Sequence, residues 1–181
     1  MKLKTTVVIL AALISASTFA ESFVTVTGNP YVVNGANKAV SQGAGVEAGA
    51  SWGRLMFDGT LNTDQVRKNK TRTNEVEGRA TFNLLPGAWV RGGVGESLSS
   101  NNNQTYYTYA AGMTVPVVGK LSAVASAERE NAIRAGGYKF STYEAGTQYA
   151  LTSTDIVGAY FVRHLGDENT RAVKLGYTKK F

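Results

Sequence analysis

One histidine, His164, stands three residues before Asp167 in a chain that also carries Ser97, Ser99 and Ser100 within one polar stretch. A hydroxyl, an imidazole and a carboxylate are the ingredients of nucleophilic acyl transfer, provided the fold brings them within hydrogen-bond reach. Nothing in the spacing enforces that meeting, and a lone histidine at a strand end reads as a surface residue, so no catalytic residue is expected. Gly92-Gly93-Val94-Gly95 lacks the Gly-Lys-Ser/Thr ending and following helix of a phosphate loop and reads as strand. The absence of cysteine removes disulfides and thiolate metal sites. No constellation of metal-ligand spacing is visible, so neither metal nor cofactor is expected.

A different chemistry is carried by charges at alternate positions. Glu47, Asp58, Glu77, Glu128 and Glu144, with Arg79, Arg91 and Lys174, fall on the polar side of stretches whose other side is apolar or small. On strands of a closed sheet, all eight would face one interior. Buried charges are tolerated when paired, so both signs facing each other would fill a narrow interior as a polar core. The same residues, left unpaired, would form a constriction that selects small or charged solutes. The filled interior is favoured, because small barrels are usually packed by side chains. Gly93 and Gly95, beside Arg91, either leave a narrow path or mark close packing.

The elements that must position these residues are strands. In a chain with 43% hydrophobic residues, 20 glycines and nine tyrosines, no segment beyond residue 20 has the long uncharged apolar run of a membrane helix. Alternation with period two is widespread instead. Val46, Ala48, Ala50 and Trp52 oppose Gly45, Glu47, Gly49 and Ser51; Leu55, Phe57, Gly59 and Leu61 oppose Arg54, Asp58, Thr60 and Asn62. Val76, Gly78, Ala80, Phe82 and Leu84 continue one face, Tyr107, Tyr109, Ala111, Met113, Val115 and Val117 form the cleanest one, and Leu121, Ala123, Ala125 and Ala127 oppose Ser122, Ser126, Glu128 and Glu130. Such faces suit lipid outside and a polar lumen inside. Residues 138–149 and 156–165 carry apolar or aromatic side chains on both parities, and the sides of a short run over 22–28 are open.

Two kinds of connection alternate. Those at 52–54, 85–88, 116–120 and 150–154 are tight. Those at 29–42, 64–73, 98–104, 131–136 and 166–169 are mostly longer and polar, the asymmetry expected between periplasmic turns and outer loops. The count predicts an all-β fold: a transmembrane antiparallel up-and-down meander barrel of about ten strands, with eight as the alternative.

Within the connection 64–73, Arg67, Lys68, Lys70 and Arg72 place four basic residues in six positions. At an outer surface they would pair with lipopolysaccharide phosphates, or simply be solvated. Nucleic acid is not an expected partner, since no aromatics interleave with these charges. Tyr106, Tyr107, Tyr109, Trp52 and Trp89 are expected in an aromatic girdle at the membrane interface.

The chain ends frame these strands. Met1 to Lys4 carries two lysines, residues 5–14 are apolar, and Thr18-Phe19-Ala20 closes a small, polar stretch, as a cleaved signal peptide over 1–20 would. The apolar run is about half the ~20 residues of a membrane-spanning helix. Losing Lys2 and Lys4 would take the formal charge from +6 to +4, leaving residues 21–181 as one barrel domain with a mild basic bias. The last residues, Val173 to Phe181, set Leu175, Tyr177 and Phe181 on one parity.

On that leader, the alternating strands and the ending Leu175-Gly176-Tyr177-Thr178-Lys179-Lys180-Phe181, the chain resembles the small bacterial outer-membrane β-barrel proteins: adhesion and resistance barrels, small porins and a few lipid-modifying enzymes. The resemblance implies export to the outer membrane of a Gram-negative cell, with periplasmic chaperones and the barrel-assembly machinery as partners during biogenesis. In that family such an ending is the assembly signal, which would be read here at Leu175, Tyr177 and Phe181. Lys179 interrupts the apolar face, although a lysine at the rim can extend its charge to water. The lipid-A deacylases and acyltransferases share this size. However, the deacylase pattern has a serine two residues after the histidine, where this chain has Gly166, and the amphipathic helix that opens the acyltransferases is not found before Ser22. The resemblance therefore implies a non-enzymatic barrel with a structural or surface-interaction role, or a small porin-like channel.

Overall fold

The computed structural model describes residues 21–36, 38–67, 71–99, 103–134, 137–166 and 169–181; the expected leader, residues 1–20, lies outside them. Ten strands follow in chain order: β1 (Glu21–Asn34), β2 (Ala39–Trp52), β3 (Leu55–Val66), β4 (Arg72–Leu85), β5 (Ala88–Ser99), β6 (Asn103–Val118), β7 (Leu121–Ala132), β8 (Lys139–Ala150), β9 (Asp155–Leu165) and β10 (Thr170–Lys180). Each pairs antiparallel with the next, and β1 pairs antiparallel with β10, so the sheet closes on itself and has no free edge. The eight-strand alternative is therefore corrected. The first run is a full strand, and it carries both closing ladders.

Strands of 11 to 16 residues are long enough for the ~9–11 tilted residues that cross the hydrocarbon of a bilayer. Their outward positions carry Val26, Leu61, Val94, Tyr109, Met113, Phe161 and Leu175, all exposed. In water such a surface would be an aggregation site; around a closed barrel it is a lipid-facing band. The parity argument holds along β2, β3, β4, β6 and β7, where no slip interrupts the membrane stretch.

Three of the tight turns reverse on a glycine in the left-handed region: Gly53 at φ 60°, Gly87 at φ 83° and Gly119 at φ 54°. A side chain there would strain the backbone, which is why these hairpins need glycine.

Two connections are shorter than expected. The segment 29–42 is almost wholly strand, leaving only residues 35–38 between β1 and β2. The start of that expected connection, Asn29-Pro30, is a bulge within β1: the β1–β10 register shifts between Gly28 and Tyr31, around the proline that has no N–H to donate. The basic connection also shortens to residues 67–71, because Gln65 pairs with Arg72 and Asp64 with Thr73 in the β3–β4 ladder.

The ambiguity over 156–165 has a physical reason in the lumen. Val32, Val162 and Ala172 are buried together inside the barrel, with Val40 and Tyr160 packed against them. This part of the lumen is apolar, so β1 and β9 are greasy on both sides. In β8, Tyr143 and Tyr149 face outward, while Phe140 turns inward and meets the His164 ring edge-on at 6.1 Å.

Candidate functional site

The candidate site is a layer of paired charges across the middle of the lumen. Asp58 and Arg79 are direct partners in the β3–β4 ladder, both inward because their neighbours Phe57 and Ala80 face lipid. Arg79 Nε donates to Asp58 Oδ2 at 2.6 Å, and its Nη2 lies 2.7 Å from Glu47 Oε2. One guanidinium thus binds carboxylates from two other strands, an arrangement suited to its planar fork. Asp58's side chain is 0% exposed, which makes the guanidinium its necessary counterion.

The other charges pair across longer spans. Arg91 Nη2 of β5 reaches Glu128 Oε2 of β7 at 2.5 Å, with the Trp89 ring 5.1 Å from its guanidinium carbon. Lys174 of β10 donates to Glu144 of β8, and its ammonium stands 4.8 Å from the centre of the Tyr160 ring. Glu77 is the exception among the eight. It faces inward but takes its hydrogen bond from the Thr108 hydroxyl rather than from a cation.

Cavities lie on both sides of this layer. One of about 320 Å³ opens toward the end carrying residues 21 and 180, lined by Thr81, Trp89, Gln148 and Thr178 among others. One of about 420 Å³ opens toward the other end, over Asp64, Glu75, Glu130 and Tyr106. Both end on Glu47, Arg79, Arg91, Glu144 and Lys174.

The glycines leave no path. Tyr106, 2% exposed, fills the space over its ladder partner Gly95, and Glu77, Thr108 and Arg79 occupy the space at Gly93. Two girdle assignments are corrected here: Tyr106 and Trp89 point into the lumen, Trp89 over its partner Gly112. Tyr106 has the opposite parity to Tyr107 and Tyr109, which do face outward and stack at 6.5 Å. Trp52, 68% exposed at a turn, stands where a girdle residue would.

The fold is that of a transmembrane β-barrel. The translocator domain of the autotransporter NalP from Neisseria meningitidis matches with a TM-score of 0.53 at 10% identity, over 100% of this chain and 95% of that one. Neisserial surface protein A matches with a TM-score of 0.45 at 10% identity, over 89% and 97% of the two chains. The KdgM porin in complex with disordered oligogalacturonate gives 0.48 at 11%, over 90% and 99%. No family model matches the sequence. No curated protein matches it in sequence.

The remaining candidates sit around the ends of this transmembrane barrel. Arg67 does not extend freely: its Nη2 lies 3.4 Å from Gln42 Oε1, and its guanidinium stands 4.8 Å from the Tyr31 ring centre. Arg72 belongs to β4, and Lys68 and Lys70 lie outside the described residues. His164 is a lumen residue rather than a surface one, with Nδ1 2.9 Å from Thr142 Oγ1. It shares a cavity of about 360 Å³ with Ser97, Glu75 and Tyr138, while Ser100 and Asp167 lie outside the described residues. Burial there pushes the Tyr138 phenol above its ordinary value.

Leu175 and Tyr177 face outward in β10, and Phe181 hydrogen-bonds through its backbone N–H to Ser22 O at 2.9 Å. Lys179 has a partner that its sequence neighbours do not suggest. Its ladder opposite is Asp155, whose two carboxylate oxygens lie 3.0 and 3.1 Å from Nζ. Sequence reading left Trp89, Tyr106 and Tyr160 out of the lumen network; only the parity of their own strands could have placed them.

Proposed function

We propose that this chain is an integral outer-membrane barrel without enzymatic activity, whose lumen is closed by paired charges and whose role is structural or one of interaction at the cell surface. The observation that carries this reading is that both lumen cavities end on one layer, in which Arg79, Arg91 and Lys174 each hold a carboxylate. In this layer every cation is held by a carboxylate, so no free cation stands open to a passing anion, and parting the pairs would leave charges stranded in a shielded interior. The apolar outward band supports the membrane location, and the barrel fold fits the outer membrane, where spanning proteins are closed sheets.

A small porin-like channel is the second reading. It is favoured by the cavities of about 320 and 420 Å³ that stand on either side of a single layer, so that parting three charge clusters would join them.

Conductance of the refolded barrel in a planar bilayer separates the two readings. A silent wild type, with steps appearing in the Glu144→Ala/Lys174→Ala variant, is expected of a closed lumen. Steady ion-selective steps in the wild type would overturn that reading in favour of the channel.

A further inference from the structure

Arg163 of β9 and Arg171 of β10 are direct partners in the ladder. Both share the parity of the lipid-facing residues on their strands, and both are exposed. Among the described residues, neither has a carboxylate partner. Two residues back on the same strands, their outward neighbours Phe161 and Val173 also oppose each other, 51% and 49% exposed, in the apolar band. The arginine pair therefore stands one step of roughly 7 Å above the last apolar pair, at the end of the barrel away from residues 21 and 180.

Like charges directly opposite on a sheet have Cβ atoms about 4.5–5.5 Å apart and destabilise it. Among the described residues, the outward surroundings add to the positive charge. Outward from β7, Arg129 holds Ser141 Oγ through Nη1 at 2.9 Å, and Lys139 is exposed on the same side of β8. Tyr143, the other ladder neighbour of Arg163, is outward and exposed. Two adjacent guanidiniums are matched by an anion that accepts from both, and arginine is the side chain best shaped to hold a phosphate in this way. On the membrane reading, a pair standing one outward step beyond the apolar band meets the headgroup layer, so the complementary anion is taken from the bilayer.

We propose that Arg163 and Arg171, with Arg129 and Lys139 farther toward the same end of the outward face, bind the phosphate of a lipid headgroup in the leaflet at that end of the barrel. The proposal rests on the membrane reading above and adds a partner and its site. The phosphate bridges the two guanidiniums and relieves their repulsion, while the acyl chains lie along Phe161 and Val173.

The test uses residues 21–181 refolded in detergent, with retained lipid measured by native mass spectrometry. The probes are a diphosphorylated glucosamine-disaccharide lipid and its phosphate-free counterpart. Wild type should retain the phosphorylated lipid, and the R163Q/R171Q variant should lose about tenfold in affinity for it. Neither should distinguish itself on the phosphate-free lipid. Inorganic phosphate added at equal concentration should not displace the lipid. If it does, the site takes free phosphate, and the lipid assignment is overturned.

Equal retention by wild type and R163Q/R171Q, with both showing the heat-dependent gel mobility of a folded barrel, would overturn the site and leave the membrane reading intact. A chain that does not insert into vesicles at all would overturn both. Lys139→Gln is the milder variant should the double substitution fail to fold, and it should weaken retention in the same direction.

Discussion

Asp58 and Arg79 face each other across the β3–β4 ladder, Oδ2 to Nε at 2.6 Å, and no part of the Asp58 side chain reaches solvent. The pair converts two isolated charges into one neutral unit that a lumen can hold. Its value lies less in the attraction than in what happens when one member is removed. Arg79→Ala strands a fully shielded carboxylate along with Glu47, and should cost about 3–5 kcal/mol. Urea unfolding in vesicles, followed by tryptophan fluorescence, measures this. Asp58→Ala/Arg79→Ala should lose less than the sum of the two single variants, because the second substitution removes a charge already stranded. Additive losses would mean that the two are not coupled.

Neighbouring tyrosines test the inward and outward assignment. Tyr106 is 2% exposed and packs on Gly95, whereas Tyr107 faces outward. Tyr106→Ala empties a filled part of the lumen and should cost about 3–5 kcal/mol, as other large-to-small interior changes do. Tyr107→Ala exchanges one lipid contact for another and should cost less than about 1 kcal/mol. The midpoint of the heat-dependent gel shift ranks them. The reverse order would mean that β6 is inserted with its faces exchanged.

Two glycines on opposite faces should respond oppositely to alanine. A Cβ at Gly146 would lie 2.2 Å from Ala159 O and 2.7 Å from Tyr160 Cα, both backbone atoms that cannot step aside. Gly146→Ala should therefore destabilise by about 1–3 kcal/mol. A Cβ at Gly78 meets nothing within 4 Å, and its φ is not in the left-handed region. Gly78→Ala should be neutral or stabilise by about 0.4–1 kcal/mol, because it restricts the unfolded chain. The same gel-shift measurement decides both.

Much of the barrel was legible because a strand repeats every two residues and a barrel has only two sides. Val46 to Trp52 and Tyr107 to Val117 could be assigned from sequence alone, and so could the inward position of Asp58, Arg79 and Glu128. Legibility failed where this rule has competitors. In β1 and β9 the lumen is itself apolar around Val32 and Val162, so hydrophobicity no longer marks the outside. At Asn29-Pro30, the expected start of the connection 29–42, residues that make turns also make bulges, and only the pairing of both flanks with β10 shows which. Tyr106 and Trp89 were drawn to the girdle by residue type, because tyrosine and tryptophan suit an interface and a lumen equally well.

Sequence by itself determined the class of fold, the face each regular strand turns to lipid and the presence of both charge signs inside, since these follow from local alternation. Tertiary structure decided who meets whom. Glu47 joins Arg79 from a strand two places away, Lys174 reaches Glu144, and Arg163 stands against Arg171, because strand order, register and closure set those distances. Alternation specifies a direction for each side chain but carries no information about its partner across the barrel, and it is the partner that determines whether a charge is neutralised or left available to bind.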